Sequence, residues 1–233
     1  MEVIARIRND FPTKFGLPRQ SGLAPSLQSK IVFEPAYHIP EALRGLDGFS
    51  HIWLIWGFSE NCPSERSEES NHWQPTVRPP RLGGNVRMGV FATRSPFRPN
   101  PLGLSSVRLE RIESDGDRGL VLIVSGADLM DGTPIYDIKP YLPGVDAHPD
   151  ATDGFVGTHA QVLLAVEIDP SLTARFLAAG LTEAQLTTLR EILAQDPRPA
   201  YHASHADPAR VYGLAYAGHD IHFTVADGLL KAF

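Results

Sequence analysis

Arginine is the only cation in a long stretch of this sequence that contains no acidic residue. No Asp or Glu lies between Asn71 and Leu109, and the cations of that span are Arg78, Arg81, Arg87, Arg94, Arg98 and Arg108. A guanidinium is a planar fork that can pair with two oxygens of a carboxylate or a phosphate. The stretch is stiffened by Pro79, Pro80, Pro96, Pro99 and Pro101. These arginines therefore favour a rigid anion-binding surface, with a solvated basic edge as the alternative.

A second dense segment, DLMDGTPIYDIKPYLP, covers residues 128–143. Its Asp131–Pro134 stretch has the composition of a turn, which we expect at the rim between two strands. Asp137 and Lys139 alternate along the strand that follows, so they share one face. The segment is compatible with a functional rim or with a structural turn that carries an internal ion pair.

Several site types have no support in the sequence. No strand is followed by a G-x-G-x-x-G loop, and there is no Walker A, G-x-S-x-G or H-E-x-x-H motif. The single cysteine, Cys62, excludes an intrachain disulfide and a cysteine-rich zinc site. His202 and His205 lie near Asp207 in a predicted loop, but their spacing does not establish a ligand set, and we predict no metal.

Whole-chain composition points to a β-rich globular protein that carries net negative charge. The 233 residues include 20 glycines and 20 prolines, which helices exclude from their interiors. A net charge of −6 by itself argues against a nucleic-acid partner. The arginine stretch shows that this average hides a local basic region, while the acidic run SERSEESN at residues 64–71 is compatible with a solvated insertion or a lid.

Apolar and alternating runs predict about seven short strands in the first part of the chain. The predicted strands are Val3–Ile7, Lys30–Phe33, Ser50–Phe58, Arg87–Ala92, Leu104–Ile112, Gly119–Ser125 and Pro134–Ile138. A short helix is expected at Pro40–Arg44. We predict a mainly β protein built on a small antiparallel β-barrel at residues 1–165, because closure removes exposed strand edges; a sandwich is the alternative.

Apart from the short helix at Pro40–Arg44, helical signals appear only after about residue 165, which predicts a small α+β domain at residues 166–233. Asp169 followed by Pro170 is typical of a helix start, and Thr182 with Gln185 forms a capping-box pattern. Two apolar runs flank residues 217–220 and predict a hairpin. A unit this small is expected to pack on the barrel or on a partner. With a charged N-terminus and no long apolar run, the sequence favours a cytoplasmic protein.

Long ordered motifs resemble those of the TsaA/TrmO family, whose characterised bacterial members are tRNA (adenine(37)-N6)-methyltransferases. The matching stretches are RPPRLGGNVRMGVFATRSPFRPNPLGLS (78–105), DLMDGTPIYDIKPYLP (128–143), FGLPRQSGL (15–23), LRGLDGFSHIWLIW (43–56) and LAQDPRPAY (193–201). The resemblance implies a non-Rossmann β-barrel that binds S-adenosylmethionine, forms a homodimer and places the cofactor near the subunit interface. It further implies methylation of N6 in threonylcarbamoyladenosine 37 of tRNA(Thr).

Carried over position by position, the resemblance also implies site residues. The cofactor contacts fall on Pro18, Arg19, Gln20, Ser59, Glu60, Arg94, Leu104, Asp131, Gly132, Thr133 and Pro134. The tRNA contacts are expected at Arg78, Arg81, Arg98, Asp196, Arg198 and Tyr201, where prolines at 197 and 199 would hold Arg198 outward for a phosphate and Tyr201 outward for a base. For the last three residues, the alternative is a helix-terminating turn whose Tyr201 packs inward. An acceptor for the N6 proton would be Asp131, Tyr136 or Asp196.

Two other functions are compatible with the sequence. The arginines alone could serve a noncatalytic RNA-binding barrel. A methyltransferase acting on a small molecule would use the C-terminal part only for dimerisation.

Overall fold

The computed structural model describes residues 1–58, 73–159, 162–199 and 207–233. The strands are β1 Ala5–Arg8, β2 Gln28–Phe33, β3 His51–Gly57, β4 Thr76–Val77, β5 Met88–Gly89, β6 Leu102–Ser114, β7 Leu120–Ser125, β8 Pro134–Pro140, β9 Ala165–Ile168, β10 Tyr212–Tyr216, β11 His219–Ala226 and β12 Leu229–Ala232. The α-helices are α1 Pro143–Asp146, α2 Pro170–Ala178 and α3 Glu183–Ala194.

Six strands close into an antiparallel barrel in the order β1-β2-β7-β6-β3-β8. Alternate residues of each strand fill its interior; on β3 these are Ile52, Leu54 and Trp56, all of which are buried. A bulge between Ile55 and Trp56 shifts the pairing of β3 with β8. Such bulges re-aim side chains at barrel rims. The predicted mainly β barrel fold is confirmed.

The predicted strand Arg87–Ala92 is wrong over most of its length. Only Met88–Gly89 pairs, as β5, and Val90–Ala92 forms a 3₁₀ turn instead. The Val90 carbonyl accepts hydrogen bonds from the Thr93 amide (3.1 Å) and from the Arg98 guanidinium (2.9 Å). These local partners replace a strand ladder, which the apolar pattern alone could not reveal. The predicted helix at Pro40–Arg44 is likewise a 3₁₀ turn, over Pro40–Leu43.

The chain from Ala165 onward forms a four-stranded sheet in the order β10-β11-β12-β9, and α2 and α3 accompany it. The caps predicted for both helices are present: Asp169 accepts from the Ser171 amide, and Thr182 and Gln185 form the capping box. The hairpin of β10 and β11 is also confirmed. Strands β9 and β12 were missed, because their parallel pairing joins segments 64 positions apart that no local pattern connects.

The C-terminal sheet and helices share a hydrophobic core with the segment that follows β1. Phe11, Ala24 and Leu27 are buried in the same cluster as α2, α3 and the C-terminal strands. Phe11 packs against Tyr216 with ring centroids 5.3 Å apart. Glu191 accepts hydrogen bonds from both the amide (3.0 Å) and the hydroxyl (2.8 Å) of Ser26. The C-terminal part is therefore fixed to the barrel, as its small size led us to expect.

Candidate active site

A cavity of about 470 Å³ opens at one end of the barrel, where β3 ends and β6 begins. Its wall combines residues from five chain segments, which are Lys14–Gln20, Trp53–Phe58, Thr93–Arg98, Leu102–Leu104 and Asp128–Thr133. Closing the barrel brings these segments together from distant parts of the sequence. The volume lies within the range of about 300–1,000 Å³ that is usual for ligand and cofactor sites.

A chain of hydrogen bonds runs from the barrel interior to this cavity. The Trp56 indole N–H donates to Ser105 Oγ (3.0 Å), and the Ser105 hydroxyl donates to Asp128 Oδ1 (2.5 Å). Gly103 makes room for the indole, because a Cβ there would lie only 2.1 Å from the Trp56 ring. The orientation of Asp128 is thus set by residues inside the barrel.

Asp128 is the acidic group that the sequence analysis missed. It lies on the cavity wall and is only partly exposed. Burial raises the pKa of its carboxyl, while the Ser105 hydrogen bond and the Arg94 charge act in the opposite direction. A desolvated carboxylate of this kind favours a cationic ligand. One signal in the sequence could have identified it. Asp128 is a charged residue only three positions after β7, and β7 is an almost entirely buried strand.

Several predicted cofactor residues lie together on the cavity wall. Pro18, Arg19, Gln20, Arg94, Leu104 and Thr133 all line it. Arg94 donates a short hydrogen bond to Gln20 Oε1, which joins two motifs that lie 74 positions apart in the sequence. Arg94 remains exposed, so this neutral partner leaves its charge available.

The rest of the predicted Asp131–Pro134 contact does not line this cavity. Asp131 accepts a hydrogen bond from the Asn9 amide (3.0 Å) and pairs with Arg8 (3.4 Å). The Gly132 carbonyl accepts from the Arg6 guanidinium (3.2 Å), and Pro134 is buried in β8 opposite β1. These residues hold β1 to the rim, and Thr133 alone of the four faces the cavity.

The structure does not gather the three proposed proton acceptors. Asp131 faces β1 as described, and Tyr136 packs its hydroxyl against Gly57, where a Cβ would lie 2.4 Å away. Asp196 follows α3 and forms an ion pair with Arg198. None of the three lines the cavity that Asp128 and Arg94 share.

A second cavity, of about 1,340 Å³, adjoins the first and shares the walls formed by Arg19, Gln20, Thr93, Arg94 and Pro96. We call its five arginines the arginine rim: Arg19, Arg78, Arg81, Arg87 and Arg94. Arg81 donates to the His159 carbonyl (3.3 Å) and Arg87 to the Thr76 hydroxyl (3.0 Å). Within the described ranges, no member of the rim forms an ion pair with a carboxylate.

Arg98 supports the loop that carries the rim. Its guanidinium donates to the carbonyls of Val90 (2.9 Å) and Thr93 (2.6 Å). It also lies over the Phe91 ring, 5.6 Å from the centroid. Arg98 therefore has a structural role in this loop, and its predicted contact with tRNA stays a prediction.

The prediction that Arg198 projects into solvent is wrong. The side chain is only 8% exposed and forms two 2.8 Å hydrogen bonds with Asp196. These bonds raise the pKa of the guanidinium. The reason is local: Asp196 adopts a left-handed backbone (φ 54°), and its carboxylate also accepts the Arg198 amide (3.3 Å).

Some predictions fall outside the described residues. These are the cofactor contacts at Ser59 and Glu60, the tRNA contact at Tyr201, and the acidic run at 64–71. Across the part of the chain that the structure does describe, no cluster of His, Cys, Asp and Glu could hold a metal ion. No helix in that same part is long and apolar enough to cross a membrane.

Comparison with family models decides the affiliation of the chain. The model described as tRNA-methyltransferase O N-terminal domain matches residues 6–147, and the TrmO C-terminal domain model matches residues 161–232. The chain belongs to the tRNA-methyltransferase O family. All residues lining the cavity of Asp128 and Arg94 fall within the first match, whereas Asp196 and Arg198 fall within the second.

Curated relatives match over 78% to 100% of this chain. A tRNA (adenine(37)-N6)-methyltransferase of Escherichia coli K12 is 39% identical over 100% of this chain and 95% of its own. A protein of the same name from Eikenella corrodens is 47% identical over 78% and 93%. A putative S-adenosylmethionine-dependent methyltransferase, RcsF, of Pseudomonas aeruginosa is 40% identical over 94% and 90%.

Solved structures of the same family share the fold. A crystal structure of TrmO superimposes with a TM-score of 0.76 at 34% identity and covers 100% of this chain and 97% of its own. A TrmO structure from P. aeruginosa gives the same TM-score and identity, with coverages of 100% and 95%. The barrel and the C-terminal sheet thus occur together in both.

Proposed function

We propose that this protein transfers a methyl group from S-adenosylmethionine to N6 of adenosine 37 in tRNA. We further propose that the acceptor is threonylcarbamoyladenosine in tRNA(Thr). The observation that carries the proposal is a cavity that pairs a desolvated carboxylate, Asp128, with an open cation, Arg94, beside the arginine rim.

Similarity over most of the chain supports the class of enzyme. The chain belongs to a tRNA-methyltransferase family, and two relatives that it covers by 95% and 93% of their length carry the name tRNA (adenine(37)-N6)-methyltransferase. The chain is therefore a tRNA-modifying methyltransferase. Its dependence on S-adenosylmethionine and its choice of nucleoside are the finer steps that we propose.

The chemistry of the cavity wall fits S-adenosylmethionine. That cofactor carries a sulfonium and an ammonium group, one carboxylate, and a flat adenine ring. The cavity offers one carboxylate, Asp128, for a cation, and Arg94 for the carboxylate. Trp56, Phe58 and Leu102 supply apolar surface for the ring. A ligand with charge of only one sign would leave part of this wall unmatched.

The chain's own residues would position the reaction. When bound, S-adenosylmethionine supplies a methyl group on a positively charged sulfur that is a good leaving group. Arg94, steadied by Gln20, orients a carboxylate, and Asp128 offsets positive charge in the cavity. Because the donor is already activated, alignment of the reacting atoms supplies much of the rate enhancement.

The acceptor would enter through the larger cavity, which the arginine rim lines. The two cavities share walls at Arg19 and Arg94, so an adenine entering the larger cavity meets the smaller one there. Arg78 and Arg81, without carboxylate partners among the described residues, are available for phosphates of the tRNA backbone. A small-molecule methyltransferase would not need a cavity of about 1,340 Å³ lined with arginines.

We also propose a homodimer and a cytoplasmic location. Leu104 lies on the wall of the smaller cavity and is 55% exposed. A second copy of the chain that covers this edge would remove its apolar surface from water. Analytical ultracentrifugation of wild type and Leu104→Asp tests the dimer.

Nucleoside mass spectrometry of tRNA from a deletion strain tests the activity directly. Loss of the N6-methyl group only from threonylcarbamoyladenosine, restored by the wild-type chain, is expected. Intact modification in the deletion strain would refute the proposal, and wild-type protein that binds tRNA without transferring methyl would indicate a noncatalytic RNA-binding protein.

Calorimetry with Asp128→Asn tests the cofactor site. We expect the variant to lose at least tenfold in affinity for S-adenosylmethionine, and less for S-adenosylhomocysteine, which lacks the sulfonium charge. Wild-type affinity should fall as the pH drops through the raised pKa of Asp128, because protonation removes the negative charge. Equal losses for both ligands would show that Asp128 does not face the sulfonium.

A further inference from the structure

Three large aromatic side chains are exposed beside the arginine rim. Phe91 is 71% exposed, Phe97 is 51% exposed and Trp73 is 44% exposed. Trp73 and Phe91 stack on each other, with centroids 6.0 Å apart and an interplanar angle of 23°. Phe91 and Phe97 line the same cavity as the rim. The result is a ledge of aromatic surface next to open guanidinium groups.

The backbone conformation of the loop directs the Phe91 side chain toward solvent. Val90 is buried to 1% exposure, and the 3₁₀ turn Val90–Ala92 then directs the next side chain toward solvent. Arg98 fixes that turn through the Val90 and Thr93 carbonyls and lies over the Phe91 ring. The ring is therefore presented by a rigid frame, which lowers the entropy cost of binding something against it.

The charge around the ledge identifies the kind of ligand. An apolar protein partner would gain nothing from Arg78, Arg81 and Arg87, whose described partners are neutral or absent. Unpaired nucleotides need both features, since each has a flat base and a phosphate. Stacking of bases on aromatic side chains beside arginines is the usual way in which proteins hold single-stranded RNA.

We propose that Phe91, stacked on Trp73, is a platform for an unpaired base next to the methylated adenosine in the tRNA loop. The inference rests on the proposed function and adds a binding subsite to it. Phe91 lies three residues before Arg94, where the two cavities meet, so at most about 10 Å of chain separates platform and cofactor site. A base one or two nucleotides from the acceptor reaches that far.

Substitutions that separate stacking from apolar contact provide the test. Phe91→Leu keeps apolar volume without a flat ring, and Phe91→Trp keeps the ring. We expect Phe91→Leu to bind an anticodon stem-loop at least fivefold more weakly, with Phe91→Trp close to wild type. Calorimetric affinity for S-adenosylmethionine should be unchanged in both. The matched control is Phe49→Leu, another exposed phenylalanine at the opposite end of β3.

A fluorescent base gives a direct readout. 2-Aminopurine placed beside adenosine 37 should be quenched by wild type and Phe91→Trp but not by Phe91→Leu. Wild-type methylation together with unchanged binding and quenching in Phe91→Leu would overturn the platform while leaving the proposed function intact. A wild-type protein that neither binds nor methylates the RNA would instead refute the function. Dissociation of a dimer by Phe91→Leu, with RNA binding retained, would assign the ring to a contact between copies and also overturn the platform.

Discussion

The arginine rim and the Asp196–Arg198 turn both carry guanidinium groups on proline-rich backbone, and they differ in what each guanidinium contacts. In the rim, Arg81, Arg87 and Arg94 donate to a carbonyl, a hydroxyl and an amide oxygen. In the turn, Arg198 is buried against the carboxylate of Asp196. Neutral acceptors orient a cation without cancelling its charge, whereas a buried carboxylate cancels it.

The difference assigns different tasks to the two regions. Charge that is oriented and left open attracts anions, so the rim suits a cofactor carboxylate and RNA phosphates. Charge that is paired and buried stabilises a local conformation. Arg198, which the sequence predicted as a tRNA contact, is therefore better explained as a support for its own turn, because its guanidinium is buried against Asp196.

The largest effect is expected for Arg94→Ala. Removal of the open guanidinium deletes the charge-assisted hydrogen bond that we propose to the cofactor carboxylate, so affinity for S-adenosylmethionine should fall about 10- to 100-fold in calorimetry. Thermal stability should hardly change, because Arg94 is exposed and has no described carboxylate partner at ion-pair distance. Arg94→Lys retains the charge but lacks the planar guanidinium, so its affinity should lie between those of the wild type and Arg94→Ala. Unchanged affinity in Arg94→Ala would contradict the assignment.

Asp196→Ala should lower the stability of the protein rather than its cofactor affinity, which is the reverse of Arg94→Ala. It leaves the buried Arg198 without its counter-charge and two hydrogen bonds, so the free energy of unfolding should fall by about 2 kcal/mol in urea titration. Cofactor affinity should be unaffected. Asp196→Asn is the control, because asparagine tolerates the left-handed backbone at φ 54° and loses mainly the charge. A stable Asp196→Ala variant would mean that the pair contributes little.

Sequence reasoning succeeded where the pattern is local. Apolar and alternating runs located the barrel strands, and Thr182 with Gln185 identified the start of α3. It failed where the partner is distant in the sequence. Asp131 faces β1, while Asp128, three residues earlier, lines the cavity and accepts a hydrogen bond from Ser105. Both carboxylates belong to one motif, and only barrel closure distinguishes them. The family resemblance placed Pro18–Gln20 and Arg94 in one predicted cofactor site, and they do line the same cavity. Their spacing in the sequence could not have indicated this.

The salt dependence of tRNA binding distinguishes an arginine whose charge is open from one whose charge is paired with a carboxylate. Each arginine that contacts a phosphate releases counterions, so Arg78→Ala should weaken tRNA binding a few-fold and reduce the slope of log K against log salt by about 1. Arg198→Ala should leave that slope unchanged, because its guanidinium is paired and 8% exposed. Filter binding at several salt concentrations measures both. Equal slope changes in the two variants would abolish the distinction between the regions.

The smallest effect is expected for the ion pair of Lys139 and Asp137, which tests whether pairing alone explains the stability of the Asp196–Arg198 turn. Its atoms are 3.6 Å apart, and the side chains are 62% and 49% exposed. Water screens such a pair, so Lys139→Ala should change the free energy of unfolding by less than about 0.5 kcal/mol. A loss as large as that of Asp196→Ala would show that burial is not what separates the two pairs. A negligible loss leaves burial of Arg198, rather than proximity of opposite charges, as the reason that its turn is stable.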